Sequence, residues 1–257
     1  MTLHPLSAGF GAEISGIDLR QLDAATTASL QQALLEQGLL VIRGQQLTPR
    51  EQVAASQLFG DLETFPPNAG QVPGVPEIFR VASRSGEGYV DVGRYWHSDG
   101  SFRDVPTPMS IWYSVAQPER DGDTLFTDLR EAYVQLPAPV KEDIEDLVSF
   151  HRNGVTHRLA MEHPHTGDRV LYLNIGLTSG IGGYTPAQSR TMIEAVDRHL
   201  SRDGATYRHH WQPGDFVVAD NIRVAHRATP IGRDQQRILD RTTVRSGGAF
   251  WDLAQAA

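Results

Sequence analysis

Two periodicities alternate along the first sixty residues of this chain. Asp23 precedes a stretch in which Leu30, Ala33 and Leu34 recur at helical spacing, and Gly38 follows it. The pattern predicts a helix capped by an aspartate and ended by glycine. Leu39-Leu40-Val41-Ile42 is an unbroken apolar run, the mark of a buried strand. Thr48-Pro49-Arg50-Glu51 has the form of a capping box with proline at the first helical position, and predicts a second helix running to Gly60. Ahead of both, Gly9, Gly11 and Gly16 break short apolar stretches into a small strand and turns.

The pattern then loosens. Prolines 66, 67, 73 and 76 and glycines 70, 74, 86, 88 and 93 predict long loops around one strand at 77–82. Loops of that length commonly cover or line a site. Met109, Ile111, Tyr113 and Val115 alternate with Ser110, Trp112 and Ser114, which predicts a strand. Short helices are expected at 129–136, capped by Asp128, and at 139–147. Strands and loops fill 151–184, with a turn at 165–168 and a glycine-rich tip at 180–183. Thr185-Pro186-Ala187-Gln188 opens a helix to about Leu200 that turns Met192, Ile193 and Val196 inward. Strands follow at 206–211, 216–219 and 237–244. Many short strands with helices gathered in insertions give a mixed α/β chain with a mainly β core, a sandwich or jelly roll. Residues 1–257 read as a single domain.

Composition narrows the function classes. With 23 Lys plus Arg against 31 Asp plus Glu, the net charge is −8, which argues against general nucleic-acid binding. There is no cysteine, so disulfides, thiolate metal sites and cysteine nucleophiles are excluded. No apolar run approaches the ~20 residues of a membrane span. Met1-Thr2-Leu3-His4-Pro5 has no signal-like start, so a cytoplasmic protein is expected.

The chemistry centres on Trp96-His97-Ser98-Asp99. On an extended segment, side chains two apart share a face, so His97 and Asp99 can reach one cation. His226, in Asp220-Asn221-Ile222-Arg223-Val224-Ala225-His226, supplies a candidate third ligand. Two imidazoles and one carboxylate form the facial set of non-haem Fe(II) oxygenases. Arg237 and Arg241, four apart on one predicted strand, share a face and either form surface ion pairs or make an anion site. Phe65, Tyr89, Phe102 and Trp112 are candidates for an apolar wall, against the alternative of ordinary core packing. His151, His157, His163, His165, His199, His209 and His210 have no partner at ligand spacing and read as surface, turn or supporting residues.

In this order the motifs resemble the TauD/TfdA family of Fe(II)- and 2-oxoglutarate-dependent dioxygenases. The resemblance runs from Gly11-Ala12-Glu13-Ile14-Ser15-Gly16 through Gly38-Leu39-Leu40-Val41-Ile42-Arg43-Gly44 and Leu58-Phe59-Gly60-Asp61-Leu62. It continues through Trp96-His97-Ser98-Asp99, Gly122-Asp123-Thr124, Gly214-Asp215 and Asp220-Asn221 to His226 and Arg237-Ile238-Leu239-Asp240-Arg241. It implies a double-stranded β-helix with helical insertions and flanking helices. It also implies Fe(II) held by His97, Asp99 and His226, with 2-oxoglutarate and O₂ as co-substrates. Thr124 and Arg237 stand where the family binds the distal carboxylate of 2-oxoglutarate, and Arg241 where it binds a substrate anion. The implied reaction is hydroxylation of a C–H bond, or cleavage after hydroxylation, with release of succinate and CO₂.

Two positions depart from the taurine-binding pattern: Phe65 replaces a histidine and Gly93 an asparagine, which argues against taurine itself. Asp99 separates the chain from the related halogenases, which lack that carboxylate. The residues alone leave two alternatives, a metal-dependent hydrolase on the same ligands and a non-catalytic β-barrel binding module. The expected partner is a small anionic molecule, with neither nucleic acid nor membrane, and the family also allows a homo-oligomer.

Overall fold

The computed structural model describes residues 1–68, 70–90 and 92–246; residues 247–257, part of the expected single domain, lie outside it. The N-terminal third forms as its signals predict. Strands β1 (Thr2–Pro5) and β2 (Ala12–Ser15) pair antiparallel. Helix α1 (Ala24–Gln37) starts where the Asp23 carboxylate accepts the Thr26 N–H, and buries Leu30, Ala33 and Leu34. Gly38, at φ 75°, closes it by donating its N–H to the Leu34 carbonyl. Strand β3 (Leu39–Ile42) is buried throughout. Helix α2 (Pro49–Ser56) carries the Thr48/Glu51 capping box, and a 3₁₀ turn over Gln57–Phe59 takes the last stretch before Gly60.

Strands β4 (Gln71–Val72), β5 (Val75–Ala82), β6 (Met109–Ala116) and β7 (Thr124–Asp128) come next, then helices α3 (Leu129–Val134) and α4 (Ala138–Ile144). Short strands β8 (Val148–His151), β9 (Thr156–Arg158), β10 (Ala160–Glu162), β11 (Arg169–Leu171) and β12 (Thr178–Ile181) lead to helix α5 (Pro186–Leu200). The chain finishes with β13 (Thr206–His209), β14 (Phe216–Asp220), β15 (Val224–Ala228) and β16 (Ile238–Val244). An eight-stranded sheet in the order β1-β2-β3-β14-β6-β16-β5-β4 faces a three-stranded sheet, β13-β7-β15. The result is a mixed α/β, mainly β jelly roll with flanking helices. Among the described residues, no helix is long and apolar enough to cross a membrane.

Alternation along the strands decides what meets inside. Leu39, Val41, Trp112, Val217, Ala219 and Leu239 of the large sheet pack against Phe126, Tyr207 and Val224 of the small one. The residues between them, such as Leu40, Ile42, Ile111, Phe216 and Val218, join the core that includes α1 and α2. Both faces of the large sheet are therefore covered. The strand expected at 109–115 forms, and Ser110, Trp112 and Ser114 are all buried in it. Side chains two apart point the same way, so Thr124 shares the inner face with Phe126, His226 with Val224, and Arg237 and Arg241 with Leu239.

β7 and β15, the two strands that pair in the small sheet, were not anticipated. Each is five residues long and mixes apolar with polar positions, so neither has a period of its own; pairing and burial make them strands.

The loop between β14 and β15 is fixed by a buried ion pair. Arg223 Nε and Nη2 donate to Asp128 Oδ2 at 3.1 and 2.9 Å, and Nη1 donates to the Leu35 and Glu36 carbonyls near the end of α1. Asp128 also caps α3, accepting the Arg130 and Glu131 N–H groups. Replacing Asp128 by alanine leaves a buried guanidinium uncompensated and a helix uncapped. The expected loss is about 3–5 kcal/mol in urea unfolding; a loss under about 1 kcal/mol would show that the pair does not hold this corner.

Candidate metal centre and adjoining cavity

His97 and His226 are joined through their backbones. The His97 N–H donates to the His226 carbonyl at 3.1 Å, and the His226 N–H donates to the His97 carbonyl at 2.8 Å. The pair is an isolated antiparallel bridge that sets the two rings 4.2 Å apart. The expected regular strand through 97–99 does not form. After the bridge the chain turns at Gly100, whose φ is 72° and whose missing Cβ would stand 1.9 Å from Thr107 Oγ1. Ligand atoms of His97, Asp99 and His226 all lie within 4.8 Å of one another.

Proton positions suit ligation. His97 Nδ1 lies 2.8 Å from the Tyr95 carbonyl, which can only accept, so Nδ1 carries the proton and Nε2 keeps its lone pair. That Nε2 faces Asp99 Oδ1 at 3.8 Å. Burial, reinforced by His97, lowers the His226 pKa to about 3 against the opposing pull of Asp99, so its ring is neutral at ordinary pH. Its Nδ1 is buried without a partner. Burial pushes the Asp99 pKa up, but the Arg241 guanidinium, both imidazoles and the Ser110 hydroxyl outweigh it and hold the carboxyl well below the usual range. Two imidazoles and a carboxylate fit a divalent transition-metal ion.

The three residues sit in a cavity of about 560 Å³ that Thr124, Arg237 and Arg241 also line. Arg237 is 7% exposed; one Nη1 bond goes to the Gly122 carbonyl at 2.7 Å, and its buried Nε has no partner. Burial lowers its pKa to about 10, with Asp123 opposing and Arg94 assisting, so it remains cationic at neutral pH. Trp211 Nε1 donates to Thr124 Oγ1 at 3.0 Å, leaving the threonine's own proton for another acceptor. A buried cation with an unused donor, next to a hydroxyl, fits a carboxylate. Arg241 Nη1 forms an ion pair with Asp99 Oδ1 at 2.8 Å, and the guanidinium lies 5.0 Å from the Phe79 ring centre.

Among the expected wall residues, Tyr89, Phe102 and Trp112 line the cavity. Phe65 does not: its ring packs 5.4 Å from Phe79, and Phe79 provides the wall at that point. Tyr89 and Phe102 are 44% and 51% exposed. Trp112 presents an edge contact 4.9 Å from the His226 ring. Sequence reasoning missed Ser110, although it lies two residues from Trp112 on the same face; it also missed Phe79, Tyr95 and Asn174. Of the remaining histidines, His151, His157, His163 and His209 are buried, whereas His210 is exposed. His163 pairs with Asp220 at 2.8 Å, His209 with Asp215 at 3.0 Å, and His157 with the Ser101 carbonyl at 2.8 Å.

A family model described as "Taurine catabolism dioxygenase TauD, TfdA family" matches residues 2–243. The chain is 30% identical to an alkylsulfatase of Acinetobacter baylyi, covering 95% of this chain and 84% of that protein. It is also 30% identical to an α-ketoglutarate-dependent 2,4-dichlorophenoxyacetate dioxygenase of Cupriavidus pinatubonensis, over 94% and 95% of the two. A crystal structure of a taurine dioxygenase from Burkholderia xenovorans superposes with a TM-score of 0.85 at 34% identity, covering 95% of this chain and 88% of that one.

Gly93 offers a test of the centre. Its φ is 71°, and a Cβ there would stand 2.9 Å from His97 Cε1 and 3.4 Å from Nε2. Its carbonyl accepts the Ala228 N–H at 2.7 Å, two residues beyond His226. Gly93→Ala should push the His97 ring aside and weaken Mn(II) binding about tenfold, read by paramagnetic resonance titration. Parent-like affinity would mean that His97 has no part in holding the ion.

Proposed function

Because this chain belongs to the taurine catabolism dioxygenase TauD, TfdA family, whose enzymes use Fe(II), 2-oxoglutarate and O₂, we propose that it hydroxylates a C–H bond of a small organic anion. Residues 1–257 act as one catalytic domain. His97, Asp99 and His226 hold the iron; Thr124 and Arg237 take the distal carboxylate of 2-oxoglutarate; Arg241 takes the substrate's anionic group. The observation that carries this reading is the meeting of two imidazoles and a carboxylate within 4.8 Å, in a cavity that two guanidiniums also line. When bound, the iron couples oxidative decarboxylation of 2-oxoglutarate, yielding succinate and CO₂, to oxygen insertion into the substrate.

The residues of the chain position and enclose. Arg237 directs a buried, fixed charge at one end of the co-substrate, where few waters compete for it. The carbonyl of Tyr95 keeps a proton on His97 Nδ1, so that Nε2 stays available as a ligand. Trp112 packs on the His226 ring and limits its rotation. Tyr89, Phe102 and Phe79 give an apolar body a surface on which to exclude water from the reacting carbon.

The named substrates of the relatives suggest the class. Alkyl sulfates and aryloxyacetates each pair an anion with a C–H bond next to an ester or ether oxygen. Hydroxylation at such a carbon gives an adduct that collapses to a carbonyl compound and expels the oxygen substituent. This chain is expected to act on an anion of that kind.

Two measurements test the reading. Anaerobic protein with Fe(II) should develop a visible charge-transfer band on adding 2-oxoglutarate; His97→Ala should abolish it, and Arg237→Ala should raise the Kd of 2-oxoglutarate about 30-fold or more. An unchanged band in the His97 variant removes the ligand assignment. Succinate release should favour alkyl and aryl anions over their neutral isosteres, and Arg241→Gln should erase that preference. Equal turnover of both by the parent enzyme would refute the anion requirement.

A further inference from the structure

The two oxygens of Asp99 have different partners. Oδ1 lies 3.8 Å from His97 Nε2 and receives Arg241 at 2.8 Å, so it faces the other ligands. Oδ2 accepts the Ser110 hydroxyl at 2.7 Å. That hydroxyl in turn accepts Asn221 Nδ2–H at 3.1 Å. Ser110 and Asn221 are fully buried, and the Asn221 backbone N–H is fixed to the Pro108 carbonyl at 2.8 Å. A hydroxyl has one proton. With the Asn221 amide donating into its oxygen, Ser110 must send that proton to Asp99. The opposite amide orientation would set two acceptors against one proton.

We infer that Ser110 and Asn221 are positioning residues that keep Asp99 Oδ2 away from the metal, so that the carboxylate ligates through Oδ1 alone. The inference rests on the three-ligand reading above and deepens it. A carboxylate can bind a cation through one oxygen or two. A second Asp99 oxygen on the ion would take a position that 2-oxoglutarate or O₂ needs. The serine–asparagine relay guards against this from within the sheet sandwich, because Ser110 shares the inner face of β6 with Trp112. Asn221 stands in the turn between β14 and β15, directly after Asp220. One short relay therefore connects the loop bearing Asp99 to the turn that leads into the His226 strand.

The test separates the affinity for metal from the affinity for co-substrate. Co(II) binding to the protein, and 2-oxoglutarate binding to the Co(II)-loaded protein, are measured by calorimetry, with the visible Co(II) spectrum reporting coordination. In Ser110→Ala, Co(II) affinity should stay within about threefold of the parent, while the Kd of 2-oxoglutarate rises about tenfold or more. Ser110→Thr, which keeps the hydroxyl, should restore it. Asn221→Ala should act in the same direction and add nothing in the Ser110→Ala background; if it fails to fold, the Ser110 pair of variants decides alone. A parent-like 2-oxoglutarate affinity in Ser110→Ala overturns the inference. So does a loss confined to Co(II) affinity, which would make Ser110 a plain support of the ligand. His97→Ala in the same assay tests the ligand reading separately: undiminished Co(II) binding there refutes the site itself, whatever Ser110 does.

Discussion

The reciprocal backbone hydrogen bonds between His97 and His226 bring an irregular loop against the inner edge of a sheet, and the geometry of the centre follows from them. One histidine belongs to a strand whose direction is fixed by pairing with β7. The other belongs to a segment with no ladder of its own, held by this single bridge and by the Gly93–Ala228 bond beside it. Fixing two backbones at hydrogen-bonding distance fixes two Cβ atoms, and the rings then have little freedom beyond their own torsions. Asp99 arrives through the turn at Gly100, a position that admits no side chain because Thr107 fills the space.

Charge is arranged around that frame in matched opposites. Asp99 faces the Arg241 guanidinium and accepts the Ser110 hydroxyl, which offset the cost of burying its negative charge. Arg237 is incompletely satisfied: Asp123 offsets its charge at a distance and Nη1 reaches the Gly122 carbonyl, yet among the described residues its buried Nε finds no acceptor. Buried polar groups are normally paired, and one that is not marks a place where a ligand completes the count. Arg241 likewise keeps a buried Nε without a partner, but its Nη1 pairs with Asp99 Oδ1, a difference that their four-residue spacing does not reveal.

Much of this was legible in the sequence where a local physical signal existed. Asp23, Thr48 and Thr185 announced their helices because a cap is a short-range hydrogen bond, and Gly38 announced an ending because left-handed backbone favours glycine. His97, Asp99 and His226 were recognisable as a set by residue type and by family resemblance. What could not be read was anything created by tertiary pairing. β7 and β15 have no period of their own, the 95–100 segment is a bridge and a turn where a strand was expected, and Phe65 is replaced at the cavity by Phe79, which lies further along the chain on β5. Buried histidines such as His163 and His209 were equally hidden, since their aspartate partners lie far away along the chain.

The half-exposed rings of Tyr89 and Phe102 stand apart from the ion-holding residues in one useful respect. They sit on loops at the rim, and among the described residues their side chains make no hydrogen bond to His97, Asp99 or His226. Descendants of one ancestral chain can exchange such rim positions and acquire new diets while the chemistry beneath is inherited unchanged. Diversity of named substrates among relatives only about 30% identical is what that separation permits.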